Sequence, residues 1–168
     1  MITHITHHRR SYNFHGFLVF IFQSFVTLSR YCKSEVVMDL VSQIGTNVQN
    51  RNIGLKTLTL LAKNHTVPLS EHCFIVANIL DHVHTMDLCQ VRQIMNVLST
   101  LAYNSANTDA KGLRDNLQMV IRKQITKSGK TLHFKQIGVI GAVTIVQNMC
   151  KTEALNNWTA NQDDCESR

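Results

Sequence analysis

Along most of the chain, apolar residues return every three or four positions, the period of helices that each bury one face. Val36, Val37, Leu40, Val41 and Ile44 follow Ser34, a residue type suited to capping a helix start, and Gly45 lies near the end of this first segment. Ile53, Leu55, Leu58, Leu61 and Ala62 form a second, which stops where Asn64 and Pro68 interrupt the pattern. A third is expected after Ser70, with Glu71 in its first turn and Phe74, Ile75, Ile79, Leu80 and Val83 facing inward. The fourth begins near Asp87 and repeats Leu88, Val91, Ile94, Met95, Leu98 and Leu101. Tyr103 to Gly112 is polar and predicts a loop, after which Leu113, Leu117, Val120, Ile121 and Ile125 mark a fifth helix. Lys127 to Lys130 predicts a turn, and Ile137, Ile140, Val143, Thr144 and Gln147 fall along one strip of a sixth helix.

These starts, near positions 34, 51, 70, 87, 111 and 132, make consecutive pairs repeat at about 40 residues, the length of HEAT and armadillo units. The predicted fold is therefore all-α: a HEAT/armadillo-like α-solenoid of antiparallel helix pairs over residues 34–151. No segment has the period of a strand, and one proline and seven glycines are too few for the turns of an all-β fold. Natural arrays end in polar caps, and neither end of this run has one. Residues 152–168, with Glu153, Asp163, Asp164 and Glu166, are expected to form a frayed, polar, acidic tail.

Residues 1–33 stand apart. His4, His7, His8, Arg9 and Arg10 precede the apolar run Phe17 to Phe22, an order similar to a signal peptide. The run is far shorter than the ~20 residues a membrane span needs, and no Ala-x-Ala site follows it. Phe14, Phe17, Leu18, Ile21, Phe25 and Leu28 instead have the spacing of a buried helix, so no membrane association is expected.

The chain has 168 residues, 44% hydrophobic and 17% charged, the composition of a packed globular protein. Seventeen Lys and Arg against eleven Asp and Glu give a net charge of +6. Lys111, Arg114, Arg122, Lys123, Lys127, Lys130 and Lys135 crowd into one stretch with Asp115 as its only acid, so this stretch accounts for the entire excess. It is the candidate contact for phosphate, the alternative being a solvated helix face. No aromatic residues interleave with the cations to stack on bases, which favours duplex backbone over single strands.

Other chemistry is poorly supported. Cys32, Cys73, Cys89, Cys150 and Cys165 are odd in number and contain no C-x-x-C pair, which fits a reducing compartment. Ser128-Gly129-Lys130-Thr131 imitates the end of a phosphate-binding loop, but Gln124 stands where the motif needs glycine, and a helix rather than a strand precedes it. His72, Cys73, His82, His84 and Cys89 lack the spacing of a zinc site. No nucleophile-base-acid set or carboxylate pair can be placed. No enzymatic activity, cofactor or metal is expected.

Several blocks occur in a distinctive order: Phe74-Ile75-Val76, Ile79-Leu80-Asp81, Gln90-Val91-Arg92, Val97-Leu98-Ser99-Thr100-Leu101-Ala102, Met119 to Gln124, and Phe134 to Thr144. Together they closely resemble the Fanconi anaemia group D-two family from about Ser34 to about Cys150. In that family the lysine before the I-G-x-I-G-A-V-T block accepts a single ubiquitin. The resemblance assigns that role to Lys135, separated from Ile137 by Gln136. It further implies a non-enzymatic scaffold of the nucleus that forms a heterodimer with the group I paralogue on double-stranded or branched DNA. Repair of interstrand crosslinks and double-strand breaks, and modification by ubiquitin through its conjugating and ligating enzymes, are implied with it. Family members are much longer than this chain. A generic helical-repeat adaptor that binds protein through its concave face is the alternative.

Overall fold

A computed structural model describes the backbone of residues 24–46, 48–103, 109–126 and 132–166, with side chains from position 110 to 126 in the third of these segments and to Lys151 in the last. Expectations for residues 1–23, for Lys127 and Lys130, and for the turn between them fall outside the described residues. Every described element is helical: α1 (Arg30–Thr46), α2 (Val48–Asn64), α3 (Thr66–Ser70), α4 (Cys73–Ala77) with a 3-10 helix directly after it (Asn78–Thr85), α5 (Leu88–Tyr103), α6 (Asp109–Thr126) and α7 (Leu132–Glu166). None of them is long and apolar enough to cross a membrane.

Helix boundaries follow local hydrogen-bond chemistry. The α1 cap is Ser29 rather than Ser34: its Oγ accepts from Cys32 N at 3.4 Å and its carbonyl from Lys33 N at 3.0 Å. Asp87 begins α5 as expected, through a reciprocal cap in which Gln90 N donates to Asp87 Oδ1 (2.8 Å) and Asp87 N to Gln90 Oε1 (3.2 Å). Pro68 does not end helical structure. It occupies the first turn of α3, where a helix leaves its N–H groups without intrahelical partners and the missing donor costs little. The expected third helix is split between α4 and the 3-10 turn. Phe74 within it is 51% exposed rather than inward, while Ile79, Leu80 and Val83 are buried. Asp109 to Gly112 belong to α6 and not to a loop, and the backbone past Lys151 remains helical through Glu166 rather than fraying.

The helices pack in two layers. α1, α4 with its 3-10 extension, and α6 form one; α2, α5 and α7 form the other, with α5 between its two neighbours. Second-layer helices start at Val48, Leu88 and Leu132, about 40 residues apart, as in a helical-repeat stack. α7 runs parallel to α5, since Leu132 lies by Leu88 and Asn148 by Asn96, and it runs antiparallel to α6. A continuous apolar core joins the layers through fully buried Ile44, Leu55, Leu58, Leu61, Ile79, Ile94, Leu98 and Leu113. Phe25, at the margin of the described chain, is also fully buried, in accord with the spacing that includes it.

Polar bridges tie successive pairs together. The guanidinium of buried Arg51 donates to Ile44 O (2.9 Å) and Gly45 O (3.3 Å) near the C-terminus of α1, and to Thr85 O (3.0 Å) at the end of the 3-10 helix. Gln90 Nε2 donates to Asn52 Oδ1 at 2.7 Å, joining α5 to α2, and Asn148 Nδ2 donates to Asn96 Oδ1 at 3.2 Å, joining α7 to α5. Buried His72 meets Ser34 through Nδ1 (3.2 Å), whereas its Nε2 has no hydrogen-bond partner among the described residues.

These bridges should be visible in unfolding experiments. Arg51→Ala leaves three carbonyls unsatisfied and should lower unfolding stability by about 2–4 kcal/mol, with Arg51→Lys intermediate because an ammonium cannot reproduce the planar fork. Urea titration measures this, and an unchanged midpoint for Arg51→Ala would refute it. Burial holds His72 below its ordinary value, Arg30 and Lys33 add to that direction, and Glu71 opposes it. The folded state thus keeps the ring neutral while the unfolded state takes up a proton near pH 6.5. Stability is full above about 6.5 and declines as pH falls from there through the folded value. Denaturant midpoints at pH 7.5 and 5 should converge in His72→Gln relative to wild type.

Candidate functional site

The antiparallel pair α6 and α7 carries Lys135 and the described part of the basic stretch. Two glycines set how closely these helices approach. A methyl group on Gly138 would lie 2.5 Å from Ile125 Cγ1 and 3.2 Å from Ile125 N, and one on Gly141 would lie 2.7 Å from Ile121 Cγ1. The same methyl on Gly141 would lie 3.4 Å from Met95 Sδ, so this residue also seats α7 on α5. The close approach turns Ile137, Gly141, Thr144, Ile145 and Asn148 inward. Val143 and Gln147, which share a sequence strip with Ile137 and Thr144, are exposed. Thr144 Oγ1 donates to Ile140 O at 2.7 Å, which allows a hydroxyl to be buried there.

Lys135 is exposed on the first turn of α7. It borders a shallow open groove lined by Leu88, Leu132, Gln136, Val139 and Ile140, with no carboxylate among the described lining residues. An exposed primary amine on a rigid helical turn is accessible to an incoming electrophile, and its neutral form is the nucleophile. This geometry suits acyl transfer to Nζ by an enzyme that approaches from outside.

The described cations do not form one continuous patch. Arg122 and Lys123 are exposed near the end of α6, beside the Ile121 and Ile125 contacts with α7, and therefore share the Lys135 end of the pair. Lys111 is exposed in the first turn of α6, about 16 Å along the axis from Arg122 at 1.5 Å per residue. Arg114 is partly buried: its Nε donates to Ala110 O at 3.3 Å and its guanidinium lies 5.8 Å from the centre of the Tyr103 ring. It is engaged in packing rather than held free for an anion. Lys127 and Lys130 lie outside the described residues.

One aromatic neighbour was not legible along the basic stretch. Phe74, contributed by α4, is half-exposed and places its ring 3.1 Å from where a Gly112 methyl would be, beside Lys111. Only the packing of α4 on α6 brings it there. Other candidates disperse: His82 covers Gly45, His84 is exposed, and among the described residues no three His, Cys, Asp or Glu side chains gather where a metal ion could be held. Ser34 and His72 touch through Nδ1, with the other ring nitrogen buried and unpartnered, so they brace α1 against the α3–α4 junction.

Residues 8–167 match the family described as Fanconi anaemia protein FancD2 nuclease. Similar curated proteins include the Fanconi anemia group D2 protein of Gallus gallus, 36% identical over 125 residues, which is 74% of this chain and 8% of the relative. The homologues of Mus musculus and Rattus norvegicus are 32% and 30% identical over 79% of the chain and 9% of their own length. The chain thus spans less than a tenth of these relatives. The family description includes a nuclease; among the described residues no three His, Cys, Asp or Glu side chains gather to hold the metal ion that many nucleases use.

The different surroundings of two arginines give a direct test. Arg114→Ala removes the ring and carbonyl interactions and should cost about 0.5–1 kcal/mol of stability, while Arg122→Ala should stay within about 0.5 kcal/mol of wild type. Equal losses in thermal or urea unfolding would refute the distinction.

Proposed function

The chain belongs to the FancD2 family, and from that membership we propose that it is a segment of a non-enzymatic DNA-repair scaffold whose Lys135 accepts a single ubiquitin. The supporting observation is the exposed amine on the first turn of α7, within the Phe134 to Thr144 block and beside an apolar groove. In the reaction, neutral Nζ attacks the carbonyl of a ubiquitin thioester on a conjugating enzyme, an isopeptide bond forms, the enzyme's thiol leaves, and the amine loses a proton. A ligating enzyme supplies orientation, and the segment supplies a fixed target. Packing of α7 on α5 and α6 limits where Nζ can be presented.

The wider role follows the same reading. The scaffold acts in the nucleus as a heterodimer with the group I paralogue on double-stranded or branched DNA, in repair of interstrand crosslinks and double-strand breaks. Arg122 and Lys123 contribute phosphate contacts at the Lys135 end, and Lys111 contributes from the far end of α6. Lys127 and Lys130 extend the cationic sequence between them. Arg114 is a lesser contributor because its guanidinium is engaged elsewhere.

The decisive experiment is reconstituted monoubiquitination of this segment restored to full-length context, with the family's conjugating and ligating enzymes and the group I partner. Lys135→Arg should abolish the single-ubiquitin product; undiminished product would move the acceptor elsewhere. In parallel, joint neutralisation of Arg122 and Lys123 should flatten the dependence of log affinity for duplex DNA on log salt by about one to two units, near 0.9 for each phosphate no longer neutralised. An unchanged slope would remove both residues from the DNA surface.

A further inference from the structure

Charge divides between the two layers. The first layer carries Glu35 and Asp39 on α1, Asp81 in the 3-10 helix, and Asp109 and Asp115 on α6. α2, α5 and α7 as far as Lys151 contain no Asp or Glu, yet they carry Lys56, Lys63, Arg92, Lys135 and Lys151 besides buried Arg51. Two carboxylates between helices are already engaged: Asp87 caps α5 and accepts from Gln90 N, and Glu71 lies 3.7 Å from Arg30 of α1. The dense run of cations on α6 thus shares its layer with acids, whereas the second layer is cationic throughout.

At 100° per residue, Gln49, Asn52, Lys56, Leu60 and Lys63 of α2 fall within about 80° of one another, and Arg92, Gln93, Asn96 and Thr100 of α5 within about 100°. Both strips lie opposite the buried residues of their helices and so face out of the stack, away from the first layer. α5 has α2 on one side and α7 on the other, so its strip belongs to the outer surface of the layer and not to an end of the array. The Gln90–Asn52 bond holds α2 and α5 side by side, which sets Lys56 near the level of Arg92. Lys56, Lys63 and Arg92 are exposed, and none of them is ion-paired among the described residues. Leu60 is the one exposed large hydrophobic residue on the two strips.

We propose that this outer face of α2 and α5 is a phosphate-contacting surface for duplex nucleic acid, separate from the cations of α6. Protein interfaces have an apolar centre and membrane-seated helices an apolar side; this face has neither, and its cations and amides are donors that phosphate oxygens accept from. Lys56 and Lys63 lie about 10 Å apart along α2, a length over which one DNA strand carries about three phosphates, and Arg92 lies one interhelical spacing, about 8–10 Å, to the side. Asn52 and Asn96 use Oδ1 within the layer, accepting from Gln90 and Asn148, so the group each turns to a ligand is the donor Nδ2. The inference rests on the reading of the chain as a DNA-binding segment and adds a second surface to it.

The test follows the fluorescence anisotropy of a labelled duplex of about 20 base pairs titrated with this chain at several salt concentrations. Joint Lys56→Gln, Lys63→Gln and Arg92→Gln should flatten the dependence of log affinity on log salt by about two to three units, and Lys56→Gln alone by about one. Arg92→Lys keeps the charge and should keep the slope, and circular dichroism checks that every variant retains its helicity. An unchanged slope in the triple variant, beside salt-dependent binding by the wild type, would overturn the proposal and leave the α6 contacts standing. A wild type without salt-dependent binding would overturn the DNA-binding reading and the proposal together. Polyglutamate bound as tightly as the duplex, and weakened equally by the three changes, would also overturn it, because an acidic protein would then be the occupant.

Discussion

Three carbonyl groups converge on Arg51, and their geometry constrains how the first helix pair meets the second. Ile44 and Gly45 offer carbonyls near the C-terminus of α1, and Thr85 offers one at the end of the 3-10 helix. The α1 carbonyls lie at the negative end of the helix dipole, which favours a cation there without a carboxylate partner. Apolar packing alone is tolerant of sliding, because burial rewards area and not direction. A planar guanidinium buried to 3% exposure is intolerant, since a shift of either element strands donors and acceptors away from water. The Gln90–Asn52 and Asn148–Asn96 bonds repeat the device further along the second layer, where amides set one helix against its neighbour.

Periodicity revealed most of the fold because most of these helices have one strong apolar face. The α5 start at Asp87 was legible through a capping residue, and the stacking period through the spacing of helix starts. Misreadings arose where a polar side chain had two available uses. Ser34 has the chemistry of a cap, but Ser29 performs that task and Ser34 contacts His72. Pro68 reads as a breaker, yet a first turn tolerates it. Arg51 carries no mark of its own in the sequence, because its buried role depends on Thr85, far away along the chain. Phe74 fitted an inward helical face until the turn tightened from α to 3-10 geometry and α4 packed against Gly112.

The basic stretch illustrates the same distinction between sequence density and spatial density. A count of cations between Lys111 and Lys135 describes a single charged region, but a helix distributes its residues around and along an axis. Arg122 and Lys123 reach the Lys135 end of the pair; Lys111 remains at the other, and Arg114 turns towards Tyr103. The electrostatic field near Lys135 is therefore generated by fewer fixed charges than the sequence contains. The glycine contacts determine this proximity, since Gly138 and Gly141 admit Ile125 and Ile121 at a distance that any larger residue would widen.

Those glycines also separate two causes within the block from Phe134 to Thr144. Close packing accounts for Ile137, Gly138, Gly141 and Thr144: each lies in the seam with α5 or α6, and a change in volume there would displace α7. It does not account for Lys135, Val139 or Val143, which face outward and make no demand on the core. Water solvates the Lys135 ammonium without cost, whereas Val139 and Val143 leave apolar surface in water that the packing of α7 does not require. The inward half of the block is thus a consequence of stacking, whereas the outward half is set by nothing that the packing of α7 on α5 and α6 requires.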